Sequence, residues 1–597
     1  MDASLTFRDE IIAESSSVKI EPVPMALSFL VALTPLVFSV QLFEPYIAAK
    51  EIFVQAGTAT VGLLWVFTKR ASFSMPAFTP IWVPLLVFAA IGSASILWSV
   101  NPAISFAEVQ CLATYGLLFV IALDVMRLAD ARTAILTTLI LAGGIEAIYV
   151  LVQYFVGDPL FAANSLPGKW QTFGTMGNPN WTGEFLAVAA LVALGRLIEL
   201  RRNALQGLLA GPFANQFTLL ALILMVLGLA ATLARGAWLA FIIGTLAFLI
   251  ARGYGTAARS GWCSFTLPRA VAGAALIAVI AVPLWFNQQA INHLFNLKSI
   301  NGRVLMSVVS WEMIRDAPLT GYGLGTFGLR FPEYQAEVLS QPWAERFIPN
   351  ASFTTYAHND YLQIWTEIGV FGLIAFAALI WIVLRRGRAL AGNPVELGCW
   401  AGVISILVNA AVAFPIHLPT TLMLLVVLIA AVEAAARKKS VRIALVAVPR
   451  RITIALVTIV LCVSAFWISY DRVVADTALW RADAALVKNQ FDYAEPEIRT
   501  AIEHSPIEQV GRLMFGRLLV ERGEYAEALT VLNQAQKFGF DVETYDLKAT
   551  VYAALGQQDN AVESMNELIR LRPDLLWPRD RLAALNLRAD GNKENIR

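Results

Sequence analysis

The Lys and Arg residues between the apolar stretches of this chain fall almost entirely in alternate loops, and that pattern constrains its fold more than any other feature. Thirteen apolar stretches run through residues 25–470, at approximately 25–42, 50–68, 81–99, 108–126, 133–156, 183–200, 215–234, 236–252, 268–286, 361–384, 394–413, 418–436 and 452–470. Each approaches the roughly 20 residues needed to cross hydrocarbon about 30 Å thick. Loops after the even-numbered stretches carry Lys69/Arg70, Arg127/Arg132, Arg196/Arg201/Arg202, Arg252/Arg259 and Arg385/Arg386/Arg388. The last of them carries Arg437, Lys438, Lys439, Arg442, Arg450 and Arg451, whereas the short odd loops at 100–107 and 414–417 carry none. Cytoplasmic loops hold the positive excess. The expectation is an all-α polytopic membrane helix bundle of twelve to thirteen spans. It has a cytoplasmic tail at 1–24, spans one to nine over 25–286, a large outer loop at 287–360, spans ten to thirteen over 361–470, and an outer region at 475–597.

Composition agrees: 57% of residues are hydrophobic and 15% charged, well away from the globular average. Residues 1–24 are polar and acidic (Asp9, Glu10, Glu14, Glu21). They lack the basic start and short apolar core of a cleavable signal, so the first span is expected to be retained. A net charge of +1 gives no reason to invoke nucleic acid. Cys111, Cys399 and Cys462 fall within spans and Cys263 in a cytoplasmic loop, with no metal-type spacing. Neither disulfides nor thiol catalysis is expected.

Two regions outside the spans are long enough to do chemistry. The loop at 287–360 far exceeds the length of an ordinary connection and is rich in aromatics, including Trp311, Tyr322, Tyr334, Trp343 and Tyr356. Residues 303–315 read as an amphipathic helix that Asp316-Ala-Pro318 stops. The stretch GYGLGTFG at 321–328 offers backbone N–H groups of the kind that cradle phosphate, although its spacing is not that of a nucleotide loop. A second outer loop, 157–182, carries Lys169, Trp170 and the start of the turn-rich run GTMGNPNWTGE at 174–184. The region after 475 repeats with a period of about 34 residues: Ala494/Ala501/Pro506, then Ala528/Ala535, then Ala561 with Pro573. Gly523 and Gly556 stand five residues before Ala528 and Ala561, with Asn489 in the equivalent place of the first repeat. This looks like three tetratricopeptide repeats, a solenoid that binds partners or self-associates. Since every motif residue described below lies before 373, the repeats are expected to be dispensable for chemistry.

The four histidines, His293, His358, His417 and His504, all fall outside the membrane or at its outer face by this topology. His358 opens HNDYLQIWTEIGVFG at the junction of the large loop and span ten, with Gly369 and Gly372 eleven and fourteen residues further on. Small residues there permit close helix packing, and an interfacial imidazole is a proton acceptor near neutral pH. Arg235, in the tight turn TLARGAW, and Arg303, in INGRVLM, lie on the side where positive residues are scarce. Guanidinium groups bind phosphate bidentately, so a lipid-linked diphosphate suits such a pair. The plainer alternatives are a solvated His358, a snorkelling Arg235 and a solvated Arg303.

The stretches TMGNPNWTG, LARGAW, NGRVLMSVVSWEMIRDAPLTGYGLGTF and AHNDYLQIWTEIGVFG resemble the bacterial O-antigen ligase and polymerase superfamily. In that family a His-Asn pair, nine residues and Gly-x-x-Gly mark the end of the large periplasmic loop; His358-Asn359 with Gly369 and Gly372 match without a gap. The resemblance covers about 25–436, and the thirteenth span and the repeats are additions to it. It implies a glycosyltransferase of the inner membrane that uses an undecaprenyl-diphosphate-linked glycan on the periplasmic side. The glycan would pass to a hydroxyl acceptor, on lipid A core, another glycan or a protein, with inversion and with no metal or other cofactor. His358 would activate the acceptor or orient the donor, and Arg235 and Arg303 would hold the diphosphate. The outer loops contain no Asp-x-Asp, and Asp316, Glu333, Glu337, Glu345 and Asp360 are scattered, which agrees with metal independence. A polymerase of the same superfamily is the alternative. A lipid-linked glycan transporter is less favoured because Glu184, Glu367 and Glu433 lie near span ends rather than within spans, and a scaffold that merely displays the repeats leaves the outer Arg/His set unexplained.

Overall fold

The computed structural model describes residues 21–68, 79–160, 172–205, 212–256, 273, 297–436 and 448–594. Most of the 1–24 tail, Lys69/Arg70, Lys169/Trp170, Arg259, Cys263, the stretch 268–286, His293 and the basic residues from Arg437 to Arg442 lie outside the described residues.

The described chain is helical and contains no strand. The bundle consists of α1 (Pro22–Leu33), α2 (Ile47–Thr68), α3 (Trp82–Ala94), α4 (Pro102–Val125), α5 (Ala129–Phe155), α6 (Pro179–Leu205), α7 (Pro212–Ala231) and α8 (Arg235–Thr256). After the outer-loop helices α9 (Leu297–Asp316) and α10 (Phe327–Leu339) come α11 (Asp360–Leu384), α12 (Pro394–Asn409), α13 (Pro419–Ala435) and α14 (Val448–Val487). Twelve of the thirteen expected stretches thus coincide with a helix, and 268–286 is the remaining one. Among the described residues, seven helices are long and apolar enough to cross a membrane: α2, α4, α5, α7, α8, α11 and α14. The helices α1, α3, α12 and α13 are apolar but shorter than expected. Prolines set several of these limits: Pro35 follows α1, while Pro394 and Pro419 open α12 and α13 because a missing N–H is tolerated in a first turn and not in a helix interior.

Helix α6 is the pillar of the bundle. Its residues Phe185–Ala193 have no exposed surface, and α5, α7, α8 and α12 pack around it. Glycines let that packing close: a Cβ at Gly195 would sit 2.2 Å from the Pro394 carbonyl oxygen, and one at Gly398 2.6 Å from that of Leu191. Two ion pairs join helix ends. Arg132 Nε lies 2.8 Å from Glu396 Oε1, and Arg386 grips fully buried Glu433 at 2.7 and 3.0 Å. Removing one partner of such a buried pair costs about 3–5 kcal/mol, because the other charge is stranded.

The expected boundary between the last span and the repeats is not a break. Helix α14 is continuous over 40 residues, and its C-terminal part pairs with α15 (Phe491–His504) as the first repeat. The second pair is α16 (Gln509–Glu521) with α17 (Tyr525–Ala535), and the third α18 (Val542–Ala554) with α19 (Gln558–Leu571), closed by α20 (Trp577–Glu594). The repeat signature is explained by packing, since Ala494, Ala501, Ala528, Ala535 and Ala561 are all fully buried. Asn489, Gly523 and Gly556 occupy the same left-handed turn, at φ 56°, 77° and 74°. Asn is the residue besides Gly that adopts it most readily, so the first repeat keeps the turn despite the changed residue.

Candidate functional site

The large loop folds back onto α11. Gly369 breaks that helix with φ 72° and ψ −177°, and a Cβ there would lie 1.9 Å from the Leu319 carbonyl oxygen. The break frees backbone groups that the loop satisfies. Tyr322 and Gly323 N–H donate to the Thr366 and Glu367 carbonyls at 3.0 and 2.8 Å, and Val370 N–H donates to Pro318 at 3.0 Å. Gly369 therefore serves a kink and a backbone contact rather than helix-to-helix packing; Gly372 is buried one turn further on. Glu367, buried in α11, accepts from Gly325 and Phe327 N–H at 2.9 and 3.4 Å and from Gln363 Nε2 at 3.1 Å. The N–H groups of the glycine-rich stretch are thus occupied within the protein, and the phosphate-cradle reading of 321–328 is set aside.

The other outer run is tied down in a comparable way. Gly174 N–H donates to Gln153 Oε1 at 2.8 Å, and Thr175 N–H donates to Glu146 Oε1 at 2.9 Å. Lys50 Nζ reaches the Thr175 carbonyl at 2.6 Å. Residues 174–175 are therefore latched onto α2 and α5.

This framework holds the start of α11. Asn359 caps the helix, its Oδ1 accepting from Tyr361 and Leu362 N–H at 3.0 and 3.1 Å while its Nδ2 donates to the Ala411 carbonyl at 3.1 Å. Asp360 is fully buried. Its carboxylate accepts from Ile416 N–H at 3.1 Å and meets His417 Nδ1 at 2.8 Å. Burial works against the His417 cation, but the Asp360 hydrogen bond and charge, aided by Glu367 and Glu108, push its pKa up to about 9. At neutral pH this is an ion pair that locks the 414–417 turn onto α11. His358 precedes the cap in a left-handed conformation, φ 52°, which a non-glycine residue holds only when its surroundings fix it. Its ring stands edge-on to Phe414 with centroids 4.8 Å apart, and Tyr356 stacks on the same Phe414 at 4.5 Å.

His358 and the two arginines converge. Burial and then the Arg303 charge lower the His358 pKa to about 4, so its imidazole is neutral at neutral pH. Burial and then the Arg235 charge lower that of Arg303. Arg235 stands at the first position of α8, where the helix dipole adds to its positive field. Arg235 of α8 and Arg303 of α9 thus create one electropositive centre beside a neutral His358, the kind of environment that takes an anion with more than one charge. The Asp360–His417 lock and the Phe414–Tyr356 stack were not singled out in the sequence. The signal for them was present: an Asp adjoining His358-Asn359, and a His held between two prolines in PIHLP.

Comparison with known families agrees with this geometry. Residues 220–377, which contain Arg235, Arg303, His358 and the Gly369 kink, match the family described as O-antigen ligase. The chain carries an O-antigen ligase domain. Residues 470–569 match a tetratricopeptide repeat-like domain, so the chain combines a ligase- and polymerase-type membrane domain with helical repeats. No curated protein matches the chain. The O-antigen ligase match ends at 377, before the turn between α12 and α13 that supplies His417.

Proposed function

We propose that the protein is an inner-membrane glycosyltransferase that moves a glycan from an undecaprenyl-diphosphate donor to a hydroxyl acceptor on the periplasmic face. The observation that carries this reading is the convergence of Arg235, Arg303 and a neutral His358 within the O-antigen ligase domain. In this mechanism the two guanidinium groups hold the diphosphate. His358 accepts the acceptor's proton as its oxygen attacks the anomeric carbon, and the bond from that carbon to the phosphate oxygen breaks with inversion. The departing undecaprenyl diphosphate carries the electron pair into the field of the arginines, which stabilises the charge as it develops. An apolar groove of about 660 Å³ between α3 and α11, lined by Val83, Val87, Ile91, Ile368 and Phe371, suits an isoprenoid chain. The acceptor is a lipid A core for a ligase or a second glycan chain for a polymerase, and the ligase reading is placed first. The repeats supply a surface for protein partners.

The test is transfer by the purified full-length protein from an undecaprenyl-diphosphate-linked glycan, offered lipid A core and free glycan acceptor in parallel. A product on one acceptor is expected, with activity retained in EDTA. Transfer abolished by chelator and restored by Mn²⁺ sinks this mechanism, and no transfer to any hydroxyl acceptor removes the function itself.

Orientation has its own test. Ser505→Cys in outer-permeabilised cells should react with a membrane-impermeant thiol reagent above the wild-type background, while Cys263 stays protected. Protection at 505 would mean that α14 does not cross the membrane or that the whole orientation is inverted.

A further inference from the structure

The repeat domain rests on the segment that leads into His358. Residues 351–357 form no helix and are anchored at both ends, Ser352 N–H donating to Gln335 Oε1 at 3.1 Å and Ala357 N–H to Gln363 Oε1 at 3.0 Å. Between the anchors, Phe353 turns outward and its ring meets that of Phe540, with centroids 5.7 Å apart and planes inclined by 36°. Phe540 belongs to the turn between α17 and α18 and is buried in an apolar cluster with Ala549, Ala561 and Met565. Ala336 of the outer-loop helix α10 is buried in the same cluster, and α10 packs on α19.

Two further ties fix the domain over the bundle. Asn101, which caps α4, donates through Nδ2 to the Lys537 carbonyl at 2.8 Å. Phe43 and Glu44 N–H donate to Asp476 at 3.2 and 3.0 Å, and Arg472 meets Glu44 at 2.8 Å. Contacts at the base of the repeats, at Lys537 and at Phe540 thus tie the domain to three separate segments: 43–44, Asn101 and the large loop. A spacer needs none of them, and a mobile arm that only recruits partners would not bury loop residues in its own core.

We propose that the repeat domain clamps the outer loop, and that Phe540, through Phe353, is a positioning residue that fixes the approach to His358. The catalytic half of this proposal rests on the transferase reading above; the mechanical half does not. It reverses the expectation that the repeats are dispensable for chemistry. The ring partner of Phe353 is Phe540, so loss of the clamp should leave donor binding in place while displacing the base. Small misplacements of a reacting group cost on the order of 10²-fold.

The experiment uses the full-length protein with Phe353→Ala, Phe353→Tyr and Phe540→Ala. Hydrogen exchange is read across 351–357 and, as a folding control, across α18 and α19. Phe353 is 39% exposed, so its tyrosine variant keeps the ring and can extend its hydroxyl to water. Phe353→Ala should raise exchange at 351–357, leave α18 and α19 protected, and lower kcat about 10- to 100-fold with the donor KM within about twofold. Phe353→Tyr should restore both. Phe540→Ala should reproduce the loop effect; should it also unprotect α18, the Phe353 pair alone decides. Unchanged exchange at 351–357 in Phe353→Ala, or normal kcat despite raised exchange, overturns the proposal. Raised exchange in a protein whose wild type transfers no glycan would support the clamp and remove the transferase reading.

Discussion

Replacing His358 by alanine is expected to slow glycan transfer by about 10²–10⁴-fold, the usual contribution of a positioned general base, with protein level and membrane insertion unchanged. His293→Ala, in the same outer loop by sequence but outside the motif, should act near wild-type speed. The pH profile gives a second check with a definite sign. A base works only when unprotonated, and burial and Arg303 hold the His358 pKa near 4. Wild-type kcat/KM should therefore stay flat as the pH falls through 6.5, the ordinary imidazole value, and decline only towards 4. His417 titrates in the opposite sense. Its pKa is raised to about 9, so the Asp360 pair is intact below the ordinary imidazole value and is lost as pH rises through 9, which sets the alkaline limb. An acid limb centred near 6.5 would remove the depressed pKa, and His358→Ala at normal speed would remove His358 as the base.

The second large effect concerns the arginines. Arg235→Lys and Arg303→Lys each keep a positive charge but lose the planar fork that meets two phosphate oxygens together. Each should lower kcat by about 10²–10³-fold, as loss of a single charge-stabilising donor does in other sites. Arg303→Lys also tests the coupling seen in the structure. Arg303 depresses the His358 pKa, and a lysine head group sits differently in the same pocket, so the acid limb should shift along with the rate. Wild-type rates in both lysine variants would mean that these side chains supply only net charge.

The helices and the head of α11 were legible in the sequence because both rest on local rules. Apolar length and loop charge located twelve helices, and the spacing from His358-Asn359 to Gly369 and Gly372 marked the head of α11. The reason for that spacing was not legible. Gly369 reads like a helix-packing glycine, and only the fold shows it as a break whose carbonyls take up 322–323. In the same way the glycine-rich stretch at 321–328 looks like a phosphate loop until Glu367 is seen to occupy its N–H groups. Asp360 and His417 each stand in a marked local context, but they are 57 residues apart and nothing in the sequence pairs them. The short helices α12 and α13 were overlong in the sequence reading because hydropathy continues into the 410–418 turn, where the chain leaves the helix to meet Asp360.

Helix α14 runs without interruption from the membrane into the first repeat, and at about 1.5 Å per residue its 40 residues make a strut on the order of 60 Å long. A flexible tether would let a bound protein sample a wide volume around the enzyme. A strut does not. Whatever docks on the repeats is delivered at one height and one bearing relative to the bilayer. Any pull it exerts passes as torque into α2, which lies along the same helix. The length of α14 therefore acts as a ruler, and inserting residues into it would rotate the repeats about 100° per residue relative to the bundle.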